Sequence, residues 1–324
     1  MVKSKKKYIC ACAFIFALGI IHVNPALCTK NFAGDFLTLG SGARLLGMGS
    51  ASVASVGDAT ASYYNPASLA QLTVKEINLM HSEQFGGLEN YNSVSFGAPI
   101  SEKRFIGITL LQLGVGDIPY TRLWDPTKAV SDSNQVEVAS REDASDYALY
   151  LSGAQHVTDK FDMGASVKVI RRSIGSDTAF GYGIDLGLRY EATEKWILGL
   201  NFRDVTGTTI AWDGKANDRI AMTMDAGAMY MDRLPIFGGT YVFTASILYF
   251  GDSPEVKGIK TMNIGAEYYL NDHIAFRAGS AQGSGTFGMG LKRLPLISSS
   301  GLDYAFLSHE ELDSTHRVSL TIRF

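Results

Sequence analysis

Charged side chains recur at alternate positions through much of the chain, and they are the residues with the most chemistry to offer. The set comprises Lys168, Asp185, Arg189, Glu191, Arg203, Asp225, Glu267, Arg277, Lys292, Asp303, Arg317 and Arg323. Most have apolar or glycine neighbours, as in "FGYGIDLGLRYE", which runs from Phe180 to Glu191. Such residues could line a passage, where an arginine fork would grip a carboxylate head group. They could instead pair with one another, since a charge taken out of water needs a partner. For any single residue, pairing takes precedence.

Constellations for catalysis do not assemble from the text. His81, His156, His273, His309 and His316 show no HExxH or other metal-ligand spacing, and His309-Glu310-Glu311 reads as a solvated loop. "GSASVAS" is not a nucleophile elbow, and the glycine-rich "GSGARLLGMG" follows no strand, which argues against a phosphate cradle. All three cysteines, Cys10, Cys12 and Cys28, fall in the first 28 residues. The expectation is a protein that is not an enzyme and uses no cofactor or metal. A formal net charge of −3 supplies no basic excess to drive nucleic-acid binding.

The elements that must position these charges read as strands. The chain has 34 glycines against 8 prolines, with 15 Tyr and 17 Phe, which suits extended sheet. Alternating stretches fall at 76–83, 91–99, 104–113, 146–156, 161–172, 179–192, 196–205, 219–231, 239–250, 258–270, 273–281, 286–293, 300–307 and 315–324. Many match the roughly 9–11 residues that a tilted strand needs to cross a bilayer. Periodicity alone does not separate a soluble sandwich from a transmembrane barrel. Connections do. Short joins such as "ISEK", "TDK" and "TEK" alternate with longer ones, above all Gly114 to Ser145, as in outer-membrane barrels. Both termini then face the periplasm. Tyr and Trp near strand ends, among them Tyr91, Trp196, Trp212 and Tyr269, are expected to form interfacial girdles.

The ends of the chain carry their own signals. Lys3, Lys5, Lys6 and Lys7 precede an apolar run from Tyr8 to Val23, and "NPALC" offers a small-residue exit. Residues 1–28 read as a signal peptide cleaved before Thr29, a retained anchor or a lipoprotein start at Cys28 being the alternatives. Cleavage removes four lysines and no acids, taking the charge from −3 to −7. At the other end "RVSLTIRF" alternates to its last residue, Phe324, which a closed barrel requires of the strand that seals its wall.

Between these lies a segment unlike the rest, "LGSGARLLGMGSASVASVGDATASYYNPASLA", Leu39 to Ala70, rich in Gly, Ala and Ser with no alternation. A short helix near Asp58 and a turn or helix start at Asn65-Pro66 are expected in it. This block resembles the start of the FadL superfamily of fourteen-stranded outer-membrane barrels, most in look the PorV/PorQ branch. "GVGDIPYTRLWDP", Gly114 to Pro126, resembles a stretch of the same branch.

The resemblance implies an all-β transmembrane antiparallel barrel whose residues 29–73 form an N-terminal hatch inside a barrel of residues 74–324. Asn65, Pro66 and Ala67 would form its barrel contact. It implies passage of hydrophobic molecules, fatty acids by default, with outer-membrane lipids as surroundings. Assembly machinery would recognise the strand ending in Phe324. Most outer loops are too short to build a capture groove, so Ile118, Tyr120 and Trp124 of the long loop are the candidate substrate contacts. The PorV branch includes members that act in secretion and surface attachment, which keeps a scaffold as the second reading. A narrow general porin is a third, which a full hatch opposes.

Overall fold

The computed structural model describes residues 32–214, 216–233, 239–253, 256–270, 273–294, 299–308 and 314–324. The expected signal peptide, its cleavage site, Cys28 and the His309-Glu310-Glu311 loop lie outside the described residues.

The chain enters through a 3₁₀ turn at Phe32–Thr38, then helix α1 (Ala43–Leu46), helix α2 (Ala61–Tyr64) and a second 3₁₀ turn at Pro66–Gln71. These small residues cannot make long helices, because glycines at 40, 42 and 49 take positive φ and break each turn. Strands follow: β1 (Glu76–Gln84), β2 (Glu89–Ser101), β3 (Arg104–Leu123), β4 (Val136–Thr158), β5 (Phe161–Ile174), β6 (Asp177–Glu191), β7 (Trp196–Arg203) and β8 (Thr208–Trp212). The remainder are β9 (Asp218–Ile220), β10 (Thr223–Arg233), β11 (Thr240–Ser253), β12 (Val256–Leu270), β13 (Ile274–Ala281), β14 (Ser284–Leu291), β15 (Ser300–Leu307) and β16 (Thr315–Arg323).

Fourteen of these, β1–β7 and β10–β16, form a closed antiparallel barrel, all fourteen of the expected strands. Closure runs through β1 and β16, from Glu76 opposite Arg323 to Glu83 opposite His316. Phe324 N–H donates to Lys75 O at 2.9 Å and Lys75 N–H to Phe324 O at 3.2 Å, so pairing continues past the last strand residue. Strands β8 and β9 were not anticipated. They form a hairpin inside the stretch expected to connect two wall strands, and β8 pairs with β6 beyond the point where β7 ends.

The two barrel rims differ. At the turn rim β2–β3 and β4–β5 are joined by two residues each. At the opposite rim, here the hairpin rim, the joins expected to be long are often short, because the strands run on: β5 reaches Ile174 and β6 starts at Asp177. The length asymmetry resides in strand overhang. Its extreme is the stretch from 114 to 145, where β3 and β4 stay paired to Leu123 and Val136.

Side chains alternate as the pleat requires. Leu79, Val94, Ile106, Leu151, Val167, Ile184, Leu198, Phe243, Phe276, Met289, Leu302 and Val318 are exposed on the outside. An apolar surface continuous round a barrel suits lipid and not water. Among the described residues no helix is long and apolar enough to cross a membrane. The girdle expectation fails at Tyr91 and Tyr269, which are buried and point inward.

Candidate functional site: the plug and the mouth above it

Residues from Phe36 to Leu72 fill the lumen, and their backbone lies against glycines of the wall. A Cβ at Gly199 would collide with Val53 O, and one at Gly265 with Met48 O. Only glycine lets the plug backbone come so close to a strand.

Asn65 is fully buried at this contact. Its Nδ2 donates to Val53 O at 2.9 Å and to Leu188 O of β6 at 3.1 Å, while Oδ1 accepts from Ala67 N–H at 3.2 Å. It therefore caps the second 3₁₀ turn, where Pro66 stands at the first position, and ties that cap to the wall. Asn201 Nδ2 of β7 adds a bond to Tyr64 O at 2.8 Å. Asp58, near which a short helix is expected, lies three residues before α2 and accepts from Thr60 N–H at 2.9 Å.

The inward charges mostly form ion-paired clusters. Glu267 sits between Arg277 Nε at 2.7 Å and the plug's Arg44 Nη2 at 2.8 Å, and Arg277 Nη1 reaches Asp303 at 2.8 Å. Lys168 Nζ lies 2.9 Å from both Asp185 and Asp204. Arg189 Nη1 meets Asp162 at 3.1 Å and Glu191 at 2.8 Å, and Gln71 of the plug donates to Asp162 at 3.0 Å. Arg203 stands 3.9 Å from Asp225 and over the Tyr63 ring. Arg323 pairs with Glu76 at 2.7 Å.

Arg317 differs. It is buried, and it donates to Leu39 O of the plug and lies over the Tyr91 ring, with no carboxylate within ion-pair distance among the described residues. Lys292 is not a buried lining residue. It is exposed at the turn rim, with its ammonium 3.6 Å from the Tyr269 ring centre.

Tyrosine hydroxyls and Arg317 hold the plug's upper segment. Tyr63 OH donates to Leu37 O at 2.6 Å and accepts from Gly40 N–H; Tyr91 OH donates to Gly40 O at 2.8 Å; Ser41 N–H donates to Tyr64 OH at 2.9 Å. Above them, at the hairpin rim, an apolar floor is built on the buried Phe36 and Leu37. Leu39, Leu113 of β3, Trp212 of β8, Ile220 of β9 and Leu307 of β15 pack against the same cluster and stay partly open. Arg172, paired with Asp146 at 2.9 Å, lies beside it over the Phe36 and Trp212 rings.

This mouth was missed in the sequence, although Leu307 carried a signal. It occupies the inward parity of β15, after Gly301, Asp303 and Ala305. The proposed contacts Ile118, Tyr120 and Trp124 do not join it. They ride on the β3–β4 overhang, where Tyr120 and Trp124 are exposed. That overhang is capped by an ordered tip: Asn134 is buried, and its Nδ2 donates to the carbonyls of Asp125, Lys128 and Ala129. Hydrogen bonds from Lys128 and Thr127 hold the Asp125 carboxyl below its usual range.

No family model and no curated protein matches the sequence. Solved structures do match. The toluene transporter TbuX of Ralstonia pickettii superposes with a TM-score of 0.56 at 15% identity, over 88% of this chain and 98% of that one. The Pseudomonas putida toluene transporter TodX gives 0.56 at 15%, over 87% and 97%. A Pseudomonas aeruginosa FadL homologue gives 0.50 at 12%, over 93% and 100%. The PorV/PorQ likeness rests on the sequence blocks alone. What the chain shares with these structures is its fold, the closed fourteen-stranded barrel of a FadL homologue and of two toluene transporters.

Proposed function

We propose that the protein is a bacterial outer-membrane channel through which small hydrophobic molecules pass. The apolar floor at the hairpin rim is the observation that carries this reading. Leu39, Leu113, Trp212, Ile220 and Leu307, partly open over the cluster that holds the buried Phe36, offer a greasy landing surface on top of a plug that is held by hydrogen bonds and ion pairs, all reversible. A molecule settling there would move inward when residues 36–41 release. The solved toluene transporters support a hydrophobic cargo.

Fatty acids are the finer reading. Arg317, which has no carboxylate within ion-pair distance among the described residues and donates to Leu39 O, is suited to an acid head group. Residues 1–28 act as the export signal in this scheme, and the strand ending in Phe324 as the handle for assembly machinery. Labelled toluene and labelled long-chain fatty acid, offered to cells with and without the protein, test the reading. Uptake of at least one must depend on it; unchanged uptake of both would sink transport.

A second reading, an outer-membrane scaffold or secretion partner, is favoured by the β3–β4 overhang. Its tip stands exposed with Tyr120 and Trp124 and no apolar floor to serve. An exported protein that co-purifies only when this overhang is intact would favour it.

A further inference from the structure

The plug meets the wall in two ways. On β5, β7, β12 and β13 its backbone lies against glycines, and a Cβ at Gly164, Gly199, Gly265 or Gly279 would collide with it. Strands β1 and β16 carry no glycine. There, and on the adjoining β2, the plug hangs on wall side chains instead. Arg317 donates to Leu39 O, Tyr91 OH to Gly40 O at 2.8 Å, and Ser41 Oγ to Ser93 Oγ at 2.9 Å. Ala43 N–H donates to Ser319 Oγ at 3.1 Å and, lower down, Ala59 N–H to Glu76 at 2.9 Å. Residues 39–43 thus carry four of these five bonds, and Gly40 and Gly42 within them, both at positive φ, tolerate wide backbone change. Bonds from Gly40 and Ser41 to Tyr63 and Tyr64 lie inside the plug and need not break when the segment leaves the wall.

We propose that an acid-headed amphiphile passes down this seam, between plug residues 39–43 and strands β16 and β1, with Arg317 at the entrance and Arg323 at the exit. The route rests on the transport reading. Opening the seam breaks separate side-chain hydrogen bonds, each exchangeable, whereas lifting the plug off a glycine seat pulls close-packed backbones apart. Inward positions of β16 run Arg317, Ser319, Thr321 and Arg323, roughly 20 Å from first to last at about 3.4 Å per residue. Thr321 and Arg323 reach a cavity of about 150 Å³ at the turn rim. In its lining the cations Arg44, Arg277, Lys292 and Arg323 outnumber the carboxylates Asp58 and Asp303. Glu76 and Glu267, which pair with these arginines, are buried and do not line it. Arg323 meets Glu76 through Nε alone among the described residues, and its side chain is 42% exposed. Its other guanidinium nitrogens suit an incoming carboxylate. A carboxylate needs a cation wherever it leaves water, and the seam supplies one at each end.

Ser41→Cys combined with Ser93→Cys puts two thiols where the hydroxyl oxygens stand 2.9 Å apart, within disulfide reach across the seam. The native cysteines all fall in residues 1–28. In cells that take up labelled dodecanoate through the protein, oxidising this pair should cut uptake about tenfold, and reduction should restore it. Arg317→Gln should raise the KM for dodecanoate about tenfold and leave toluene uptake within about twofold. A plug that is merely looser would change both tracers alike.

A second readout uses the folded protein in lipid nanodiscs and a water-soluble thiol reagent. Ser319→Cys reports on the seam. Thr244→Cys reports on the glycine side, since Thr244 stands opposite Gly265 and donates to Ala51 O at 2.8 Å. Adding dodecanoate should speed labelling of Ser319→Cys about tenfold and leave Thr244→Cys within about twofold. Should the disulfide not form, this pair decides alone. The proposal is overturned if the oxidised pair transports as well as the reduced one, if both single variants label together, or if Arg317→Gln slows both tracers equally. Wild-type uptake that an oxidised pair does not slow removes the seam and leaves transport standing. Uptake of both tracers that never depends on the protein sinks the transport reading, and the route with it, before any variant is read.

Discussion

The Asn65 side chain spans the junction between plug and wall, its amide donating to Leu188 O at 3.1 Å while its carbonyl oxygen caps the turn at Ala67. One residue thus orders the end of the plug and fixes it to β6. Asn65→Ala removes three hydrogen bonds and leaves Val53 O and Leu188 O with fewer donors. Each bond is worth about 1 kcal/mol net, so a loss of about 2–4 kcal/mol from plug seating is expected. Hydrogen exchange over residues 53–72 should quicken by about two orders of magnitude, with the wall strands unchanged. Equal protection in the variant would show that the glycine-lined contacts alone hold the plug.

Gly199 sets a steric condition on the same seat. Gly199→Val drives a side chain into Val53 O, and overpacking of this kind costs about 1–3 kcal/mol or expels the weaker partner. The wall closes through its own strand pairing, so the variant should keep β circular dichroism and heat-modifiable mobility. It should also leak, raising single-channel conductance or sensitivity to bulky antibiotics. A sealed, fully plugged variant would contradict the fit.

Glu267 has two guanidiniums on it, Arg277 at 2.7 Å and Arg44 at 2.8 Å, and the order of mutant effects follows. Glu267→Ala leaves the buried Arg277 with Asp303 alone, facing the part-buried Arg44 whose remaining carboxylate, Asp58, is 3.7 Å away, and should cost about 3 kcal/mol. Arg44→Ala leaves Glu267 with Arg277 and should cost clearly less. Denaturant unfolding in detergent ranks the two. Arg44→Ala as the more damaging change would mean that the plug tie matters more than the charge balance.

The wall was legible because strand alternation is a local property, written in each stretch as in Phe180 to Glu191. Phe324 could be read too, since closure demands order at the last residue. The Asn65 cap was announced by its own chemistry and the proline after it. Other features depend on partners distant in sequence. Trp212 looked like a girdle residue until β8 paired with β6, and Tyr91 proved to hold Gly40 O. Ile118, Tyr120 and Trp124 are candidate substrate contacts in the sequence because residues 114–145 look like a loop. Cross-strand pairing carries them away from the mouth. β3 is apolar on both faces, so the inward turn of Leu113 could not be read from parity.

The mouth and the overhang make opposing predictions for uptake. Leu307→Glu puts a carboxylate into the partly open apolar rim of the cluster, where a greasy molecule would land. Leu307 is partly open, so the charge can stay hydrated and the barrel should fold. The floor loses apolar surface worth about 25 cal/mol per Å², and uptake of a hydrophobic substrate should fall by about tenfold. Trp124→Ala, on the exposed overhang, should leave uptake within about twofold, since that residue touches no part of the floor. Tracer uptake by cells carrying each variant, normalised to surface protein, decides between them. A large loss in Trp124→Ala with normal uptake in Leu307→Glu would move substrate capture to the overhang and remove the floor from the route.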